Sequence, residues 1–288
     1  MKILILPNTT IEKNTNTNTY EEHVKTILSQ NNPLFSETKN INQVTIVPHN
    51  EQKYYGKVEP SLQSDGTLVY NLIYTDRILN WYADPSCKKY VYAKSIIFHE
   101  LYHIEEMNYT SQFIPAILIV KTIFENTKEY LLHIAIQQWS EYYAYRNSAM
   151  IYPRTFDMKP FFNKTQIDLS ICAESGQKYG EVNMPISFMK NIDNCISHLV
   201  IEIAHYHTAK TTSYIDNITK YQEQFSNECR YAMFLENLFV EKWNEFKYKL
   251  SEEWYLELGK SLFTIYEYYG LSFSDDTLSD NFIYNFKK

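Results

Sequence analysis

The most informative stretch of this chain reads His99-Glu100-Leu101-Tyr102-His103. Residues four apart on a helix share one face, so both imidazoles can reach the same ion. Histidine is the commonest metal ligand among side chains and suits zinc well. Glu100 is rotated away from the two histidines and would lie beside the ion, where it can accept a proton from water. The stretch therefore predicts a helix that carries a metal site and an adjacent general base.

The residues around this motif indicate a buried helix and not a surface helix with two solvated histidines. Three apolar residues, 96–98, precede the motif, and Ile104 follows it. Charged side chains at these positions would disturb a buried ion. Asp84 and Pro85 are typical of an N-cap and a first helical residue, so we expect the helix to run from there to about residue 108.

A third metal ligand must come from further along the chain, because a catalytic zinc ion usually has three protein ligands and one water. Glu141 is preferred, since it lies in a stretch without glycine or proline that is predicted to be helical. Ala144 lies one turn further on and is small enough to let two helices approach closely. His133 precedes Glu141 by about 12 Å of helix rise, so only one of the two can bind the ion. Glu125, Glu129 and Asp157 are the remaining candidates for this ligand.

Together, His99-Glu100-x-x-His103 and the later Glu141-x-x-Ala144 resemble the gluzincin branch of the zincin-like zinc metallopeptidases. The resemblance implies a zincin-like fold in which the two histidines and Glu141 bind one Zn²⁺. It also implies that Glu100 is the catalytic general base.

The resemblance covers roughly residues 85–150, and two positions depart from it. Tyr145 stands where several gluzincin families have an aspartate that steadies a zinc-bound histidine, so the residue that orients this histidine is left open. Glu105 stands at a position that is often apolar in such families. The candidates for oxyanion or substrate contacts are Tyr142, Tyr145, Arg146, His205 and His207.

The predicted fold is α+β, with a small N-terminal β-sheet and the metal helix followed by a mostly helical C-terminal part. We expect an N-terminal α/β lobe at 1–110, helices that supply the third ligand at 111–152, and a helical subdomain at 153–288. Strands are predicted at the N-terminus and at 43–47, 52–58 and 67–75, with a turn at 64–66. The strand at 67–75 is the candidate edge strand for an extended peptide.

The spacing of apolar residues predicts helices at 111–127, 129–150, 187–209, 212–248 and 251–270. The most apolar segment, 114–124, is too short to span a membrane and is expected to be a buried helix. Residues 151–186 contain several prolines and are expected to be irregular. His198, Glu202 and His205 share a helix face that could hold a second metal ion, although a polar helix face with a His–Glu contact is the favoured interpretation.

The composition restricts the class of protein further. The 288 residues are 44% hydrophobic and 21% charged, which is typical of a globular chain, and the net charge is -7 with a pI near 5.7. A nucleic-acid partner would need a basic face, which the sequence does not offer. The four cysteines, Cys87, Cys172, Cys195 and Cys229, form no Cys-x-x-Cys pair. Their separation excludes a zinc ribbon and favours free thiols in a cytoplasmic protein.

The sequence therefore predicts a zinc-dependent metallopeptidase, a hydrolase that acts on a peptide or protein substrate. Zinc-activated water would attack the peptide bond, with Glu100 as the general base. One alternative is a zinc-binding regulatory or interaction protein that keeps the zincin fold without turnover. Another is a helical interaction protein in which the motif arose by chance and binds no metal.

Overall fold

A computed structural model describes residues 1–11, 19–30, 32–52, 54–122, 124–152, 185–211, 230–246 and 248–268. Contacts divide the chain into two compact units, Met1–Val120 with Tyr143–Pro153 and Lys121–Tyr142 with Arg154–Lys288. The predicted α+β class is confirmed, since a four-stranded sheet is accompanied by many helices.

The sheet lies in the first unit and has the strand order β1-β2-β4-β3. Its strands are β1 (Lys2–Ile5), β2 (Ile41–Val47), β3 (Gly56–Leu62) and β4 (Leu68–Thr75). β1, β2 and β4 are mutually parallel, and β3 pairs with β4 in the antiparallel direction at the edge. The predicted turn at 64–66 is confirmed, because Gly66 has φ +83° and donates its N–H to Gln63 O at 2.9 Å.

The expectation that the strand at 67–75 is the edge strand is wrong. β4 lies inside the sheet, with β2 on one side and β3 on the other, so both rows of its backbone groups are already hydrogen-bonded. Its side chains are mostly buried on both faces, which an interior strand requires. The predicted strand at 52–58 is shifted to Gly56–Leu62, and this strand, β3, occupies the edge.

The helices are numbered along the chain. They are α1 (Tyr20–Ser29), α2 (Pro33–Glu37), α3 (Asp76–Ala83), α4 (Tyr90–Thr110), α5 (Ala116–Val120), α6 (Thr127–Ala149), α7 (Pro185–Thr211), α8 (Arg230–Glu245) and α9 (Glu252–Tyr268). The predictions at 129–150, 187–209 and 251–270 are confirmed within a few residues by α6, α7 and α9. Helix α8 confirms part of the prediction at 212–248, while 212–229 lies outside the described residues, as do 153–184 of the stretch expected to be irregular.

Helix α4, which carries the histidine motif, begins at Tyr90, whereas the sequence predicted Asp84 as its N-cap. Asp84 instead follows the end of α3, and its Oδ1 accepts hydrogen bonds from the Ser86 N–H at 2.9 Å and the Ser86 hydroxyl at 2.7 Å. An aspartate that bonds to a backbone N–H two residues on forms a turn that competes with a helix start. The Asp-Pro pair therefore marks the connection between two helices.

The expected long helix at 111–127 is also wrong. Among the described residues before α6, only Ala116–Val120 of this segment are helical. None of these residues is buried, and the Ile117 side chain is 54% exposed. Pro115 disfavours a helical backbone at the preceding residue, Ile114. The Ile114 side chain is nevertheless buried. In the part of the chain that the structure describes, no helix is long and apolar enough to cross a membrane.

Two tyrosines of β4 fix α4 against the sheet. Tyr70 and Tyr74 lie on the same face of the strand and are completely buried. Tyr74 donates its hydroxyl to Ile97 O at 3.2 Å, and Tyr70 donates its hydroxyl to Asn108 Oδ1 at 2.9 Å. These bonds lie on either side of the histidine motif and hold α4 in position on the sheet.

The second unit has its own aromatic core. Trp139 of α6 is completely buried, with the Phe239 ring stacked 6.2 Å away and the Trp254 ring edge-on at 5.0 Å. Helices α6 and α9 approach closely because residue 259 is glycine, whose position leaves no room for a side chain beside the Leu131 carbonyl. The unit boundary falls inside α6, after Tyr142.

Two of the four cysteines lie in the described part of the chain. Cys87 has a free thiol, as predicted. Cys172 and Cys229 lie outside the described residues.

Candidate metal centre

The two motif histidines face each other on α4. Their Nε2 atoms are 3.1 Å apart, and their ring centroids are separated by 4.6 Å with the planes nearly perpendicular. His103 is buried, whereas His99 is partly exposed. The helical i, i+4 spacing therefore brings the two nitrogens together at a place that solvent can reach.

One hydrogen bond and two ring contacts hold the C-terminal part of α6 against α4. The Tyr143 hydroxyl donates to Glu105 Oε2 at 2.8 Å, and the Tyr143 ring meets Tyr102 edge-on at 6.3 Å. The Tyr145 ring packs on His99 with centroids 4.2 Å apart. All of these residues belong to the first unit. Both residues that depart from the gluzincin pattern take part in these contacts. Glu105 accepts the hydrogen bond from Tyr143, and Tyr145 packs on the motif histidine His99.

Glu141 lies on α6 two residues before Tyr143, and its carboxylate joins the two histidines. The ligand atoms of His99, His103 and Glu141 all lie within 4.8 Å of one another. Among the residues that the structure describes, no other group of three or more His, Cys, Asp or Glu side chains meets this spacing. The structure thus brings together the three residues that the sequence nominated as ligands.

The rival ligands lie elsewhere. His133 packs against the Phe124 ring, with centroids 4.3 Å apart. Glu125 and Glu129 form ion pairs with Lys121 at 3.0 and 2.7 Å. Asp157 is outside the described residues.

The donor set suits a zinc ion. Two imidazoles and one carboxylate are the protein ligands of several catalytic zinc sites. Zn–N bonds of about 2.0–2.1 Å in a tetrahedral site place neighbouring ligand atoms roughly 3.3 Å apart. The 3.1 Å between the Nε2 atoms of His99 and His103 is close to this separation.

Burial sets the charge of two of these groups. It lowers the pKa of His103 to about 4, so that this imidazole is neutral near pH 7 and keeps the lone pair that a metal needs. Burial also raises the pKa of Glu141 to about 7, because a carboxylate loses its hydration there. A nearby cation would oppose this second shift and favour the carboxylate.

Glu100 is buried next to the first residue of β3. A Cβ atom on Gly56 would lie 3.0 Å from Glu100 Cγ and 3.1 Å from Glu100 Oε1. Glycine at this position therefore lets the edge strand pass close to the Glu100 carboxylate. Gly56 was not among the residues predicted to border the site, although a glycine at the start of a strand is a known sign of close backbone approach.

Along β3, the backbone N–H and C=O groups of successive residues point alternately toward β4 and toward the open edge of the sheet. Tyr55 O accepts from Thr75 N at 3.0 Å, and Gln63 N donates to Thr67 O at 2.9 Å. In an antiparallel pair, every second residue is bonded to the partner strand, so the odd-numbered residues of β3 bond to β4. The even-numbered residues, beginning with Gly56, direct their backbone groups to the other side.

The remaining candidates for oxyanion or substrate contacts divide into two groups. Tyr145 lies four residues after Glu141 and therefore on the same face of α6, whereas Arg146 is rotated away from that face. The Tyr142 hydroxyl is instead hydrogen-bonded to His207 Nδ1 at 2.6 Å inside the second unit. His207 Nε2 is 3.8 Å from Glu236, and His205 is buried on the same helix, α7.

The less favoured alternative of a second metal site on α7 is not supported, since His198, Glu202 and His205 do not meet the ligand spacing described above. The favoured interpretation, a polar face, is right for His198, which is exposed. Glu202 and His205 are buried. Helical spacing alone does not reveal which side of α7 is covered.

Comparisons of the chain with protein families, with curated proteins and with solved structures find no match.

Proposed function

We propose that this protein is a zinc-dependent peptidase of the gluzincin type. The observation that supports the proposal most directly is the group of His99, His103 and Glu141 with their ligand atoms within 4.8 Å, next to the buried Glu100. A site with only a structural role would need a fourth protein ligand and would have no use for Glu100.

The two imidazoles and the Glu141 carboxylate would hold one zinc ion. When bound, zinc would lower the pKa of a water molecule toward neutrality and polarise the carbonyl of the substrate. The partial exposure of His99 leaves an approach for water and substrate, while the buried His103 anchors the site.

Glu100 would accept the proton of the attacking water and transfer it to the leaving amine. Its surroundings agree with this role, because the side chain is buried and its carboxylate lies close to the Gly56 backbone.

The edge strand β3 would hold the substrate as an added strand. Gly56 and Val58 direct their N–H and C=O groups away from β4, and an extended peptide could pair with them. Pro60 follows at the next outward position and has no N–H, so pairing would weaken there. The pairing surface would thus be concentrated beside Glu100.

Tyr145 is the best candidate for the oxyanion donor. It lies on the Glu141 face of α6 and touches His99, whereas the hydroxyl of Tyr142 already bonds to His207. A phenol donates a single hydrogen bond, and loss of one such donor typically lowers kcat by about 10²–10³.

The test is turnover by the zinc-loaded protein on a library of quenched fluorescent peptides. We expect wild type to cleave a subset of the library. Glu100→Gln should keep its zinc and lose about 10²–10⁴ in kcat, because it retains the shape of the side chain but cannot accept a proton. Glu21→Gln, an exposed change on α1, is the matched control and should leave turnover unchanged.

Two results would count against the proposal. Glu100→Gln with full activity would remove the general base, and a wild type with one equivalent of zinc and no turnover on any peptide would favour the zinc-binding regulatory alternative.

A further inference from the structure

A second candidate site lies at the carboxyl ends of the parallel strands. The loops that follow β1 and β2 and the start of α3, which follows β4, border a cavity of about 490 Å³. Parallel strands end at the same edge, and ligands of open α/β sheets commonly bind in the crevice there. The volume is within the usual range for small-molecule sites. None of the proposed zinc ligands lines this cavity.

Asp76 holds the three borders of the cavity together. Its Oδ2 accepts from the Thr10 N–H at 2.9 Å, and its Oδ1 accepts from the N–H groups of His49 at 3.0 Å and Arg77 at 2.7 Å. Thr10 follows β1, His49 follows β2 and Arg77 is in α3. A buried carboxylate with three backbone donors is well satisfied, so the loops are positioned before any ligand arrives.

Among the residues that the structure describes, Arg77 is the one Lys or Arg side chain that lines the cavity. It is exposed, its guanidinium lies 5.9 Å from the centroid of the Trp81 ring, and no carboxylate of the described residues pairs with it. Arginine offers a planar fork of donors that matches the two oxygens of a carboxylate or phosphate. The side chain is thus available for an anion.

His49 adds an aromatic and polar wall. Its ring stacks on Tyr55 with centroids 5.1 Å apart and planes 5° from parallel. Its Nδ1 is buried and has no hydrogen-bond partner among the described residues. Asp84 also borders the cavity, but its carboxylate already accepts two bonds from Ser86.

We propose that this cavity binds a small organic molecule that carries a phosphate or carboxylate group, with the oxyanion on Arg77. The amides of Asn8 and Asn50 and the imidazole of His49 would contact the polar remainder of the ligand, and Trp81 would contact its apolar part. This site is independent of the peptidase proposal, since it uses none of the residues proposed for zinc binding or catalysis.

The test is calorimetric titration of the full chain with three probes at fixed ionic strength. Phenyl phosphate and benzoate carry the two oxyanions on the same ring, and benzyl alcohol carries none. We expect saturable binding of at least one anion, and saturation by only one of them identifies the oxyanion that the site takes. Benzyl alcohol should not saturate.

Two variants locate the binding. Arg77→Gln should weaken anion binding at least tenfold, whereas Lys25→Gln removes another exposed positive charge, on α1, and should leave anion binding unchanged. Circular dichroism confirms that both variants are folded. The proposal is overturned if neither anion saturates, if benzyl alcohol binds equally well, or if Arg77→Gln binds like wild type.

Discussion

Tyr143→Phe tests whether the C-terminal part of α6 is held against α4 in the way that the structure indicates. The change removes one hydroxyl from a ring that is 3% exposed and leaves the packing with Tyr102 intact. Burial, with Glu105 nearby, raises the pKa of Tyr143, so the hydroxyl stays protonated and donates at any working pH.

The loss of unfolding free energy depends on Glu105, which accepts the hydrogen bond from Tyr143. A hydrogen bond to a charged group contributes about 1.5–3 kcal/mol, and Glu105 is partly exposed, so water can replace the lost partner. We therefore expect the lower end, about 1.5 kcal/mol of unfolding free energy. Because Glu141 is two residues away, the same change should weaken zinc binding by about tenfold, as changes to groups that orient metal ligands do.

Urea unfolding and zinc titration measure the two effects. Tyr248→Phe, at a residue that is 89% exposed, is the control and should shift the unfolding free energy by less than about 0.5 kcal/mol. A double-mutant cycle with Glu105→Gln should give a coupling of about 1 kcal/mol. The reasoning is refuted if Tyr143→Phe matches the control in both stability and zinc affinity.

Three further predictions concern the second unit and the hairpin. Gly259→Ala should cost roughly 1–3 kcal/mol, because the new Cβ would lie 2.8 Å from the Leu131 carbonyl carbon and force α6 and α9 apart. Gly66→Ala meets no atom within 4 Å, so its cost of about 1–2 kcal/mol should come only from the positive φ, and urea unfolding of both variants compares the two causes. Burial lowers the pKa of His133 to about 4, so the folded state resists its protonation and wild type should lose stability as the pH falls from about 6.5 toward 4. His133→Gln should lose less over that window, and an equal loss in both proteins would show that His133 is not the cause.

The sequence was most informative where one local pattern determines the geometry. The helical i, i+4 spacing predicted that His99 and His103 share a face, and the uninterrupted helix around Glu141 predicted a second helix able to supply a carboxylate. The hairpin turn at Gly66 was also predictable, since the chemistry of a turn lies within a few residues.

The errors have a common physical origin. Whether β4 or β3 forms the edge depends on which strands pair, and that is a property of the whole sheet that a single strand does not carry. The Asp84-Pro85 pair has the residues of a helix start, but the side chain of Asp84 bonds to Ser86 instead. Gly56 gained its importance only from the approach of β3 to Glu100, which is a contact between residues far apart in sequence.

The zinc content of the purified protein tests the central claim most directly. Elemental analysis of wild type should give one zinc per chain, and Glu141→Ala should lose most of it. Glu125→Ala, at a rival ligand position that is exposed and paired with Lys121, should keep the full equivalent. A wild type that binds no zinc even after incubation with the ion would contradict the account, and zinc retained in full by Glu141→Ala would remove Glu141 from the site.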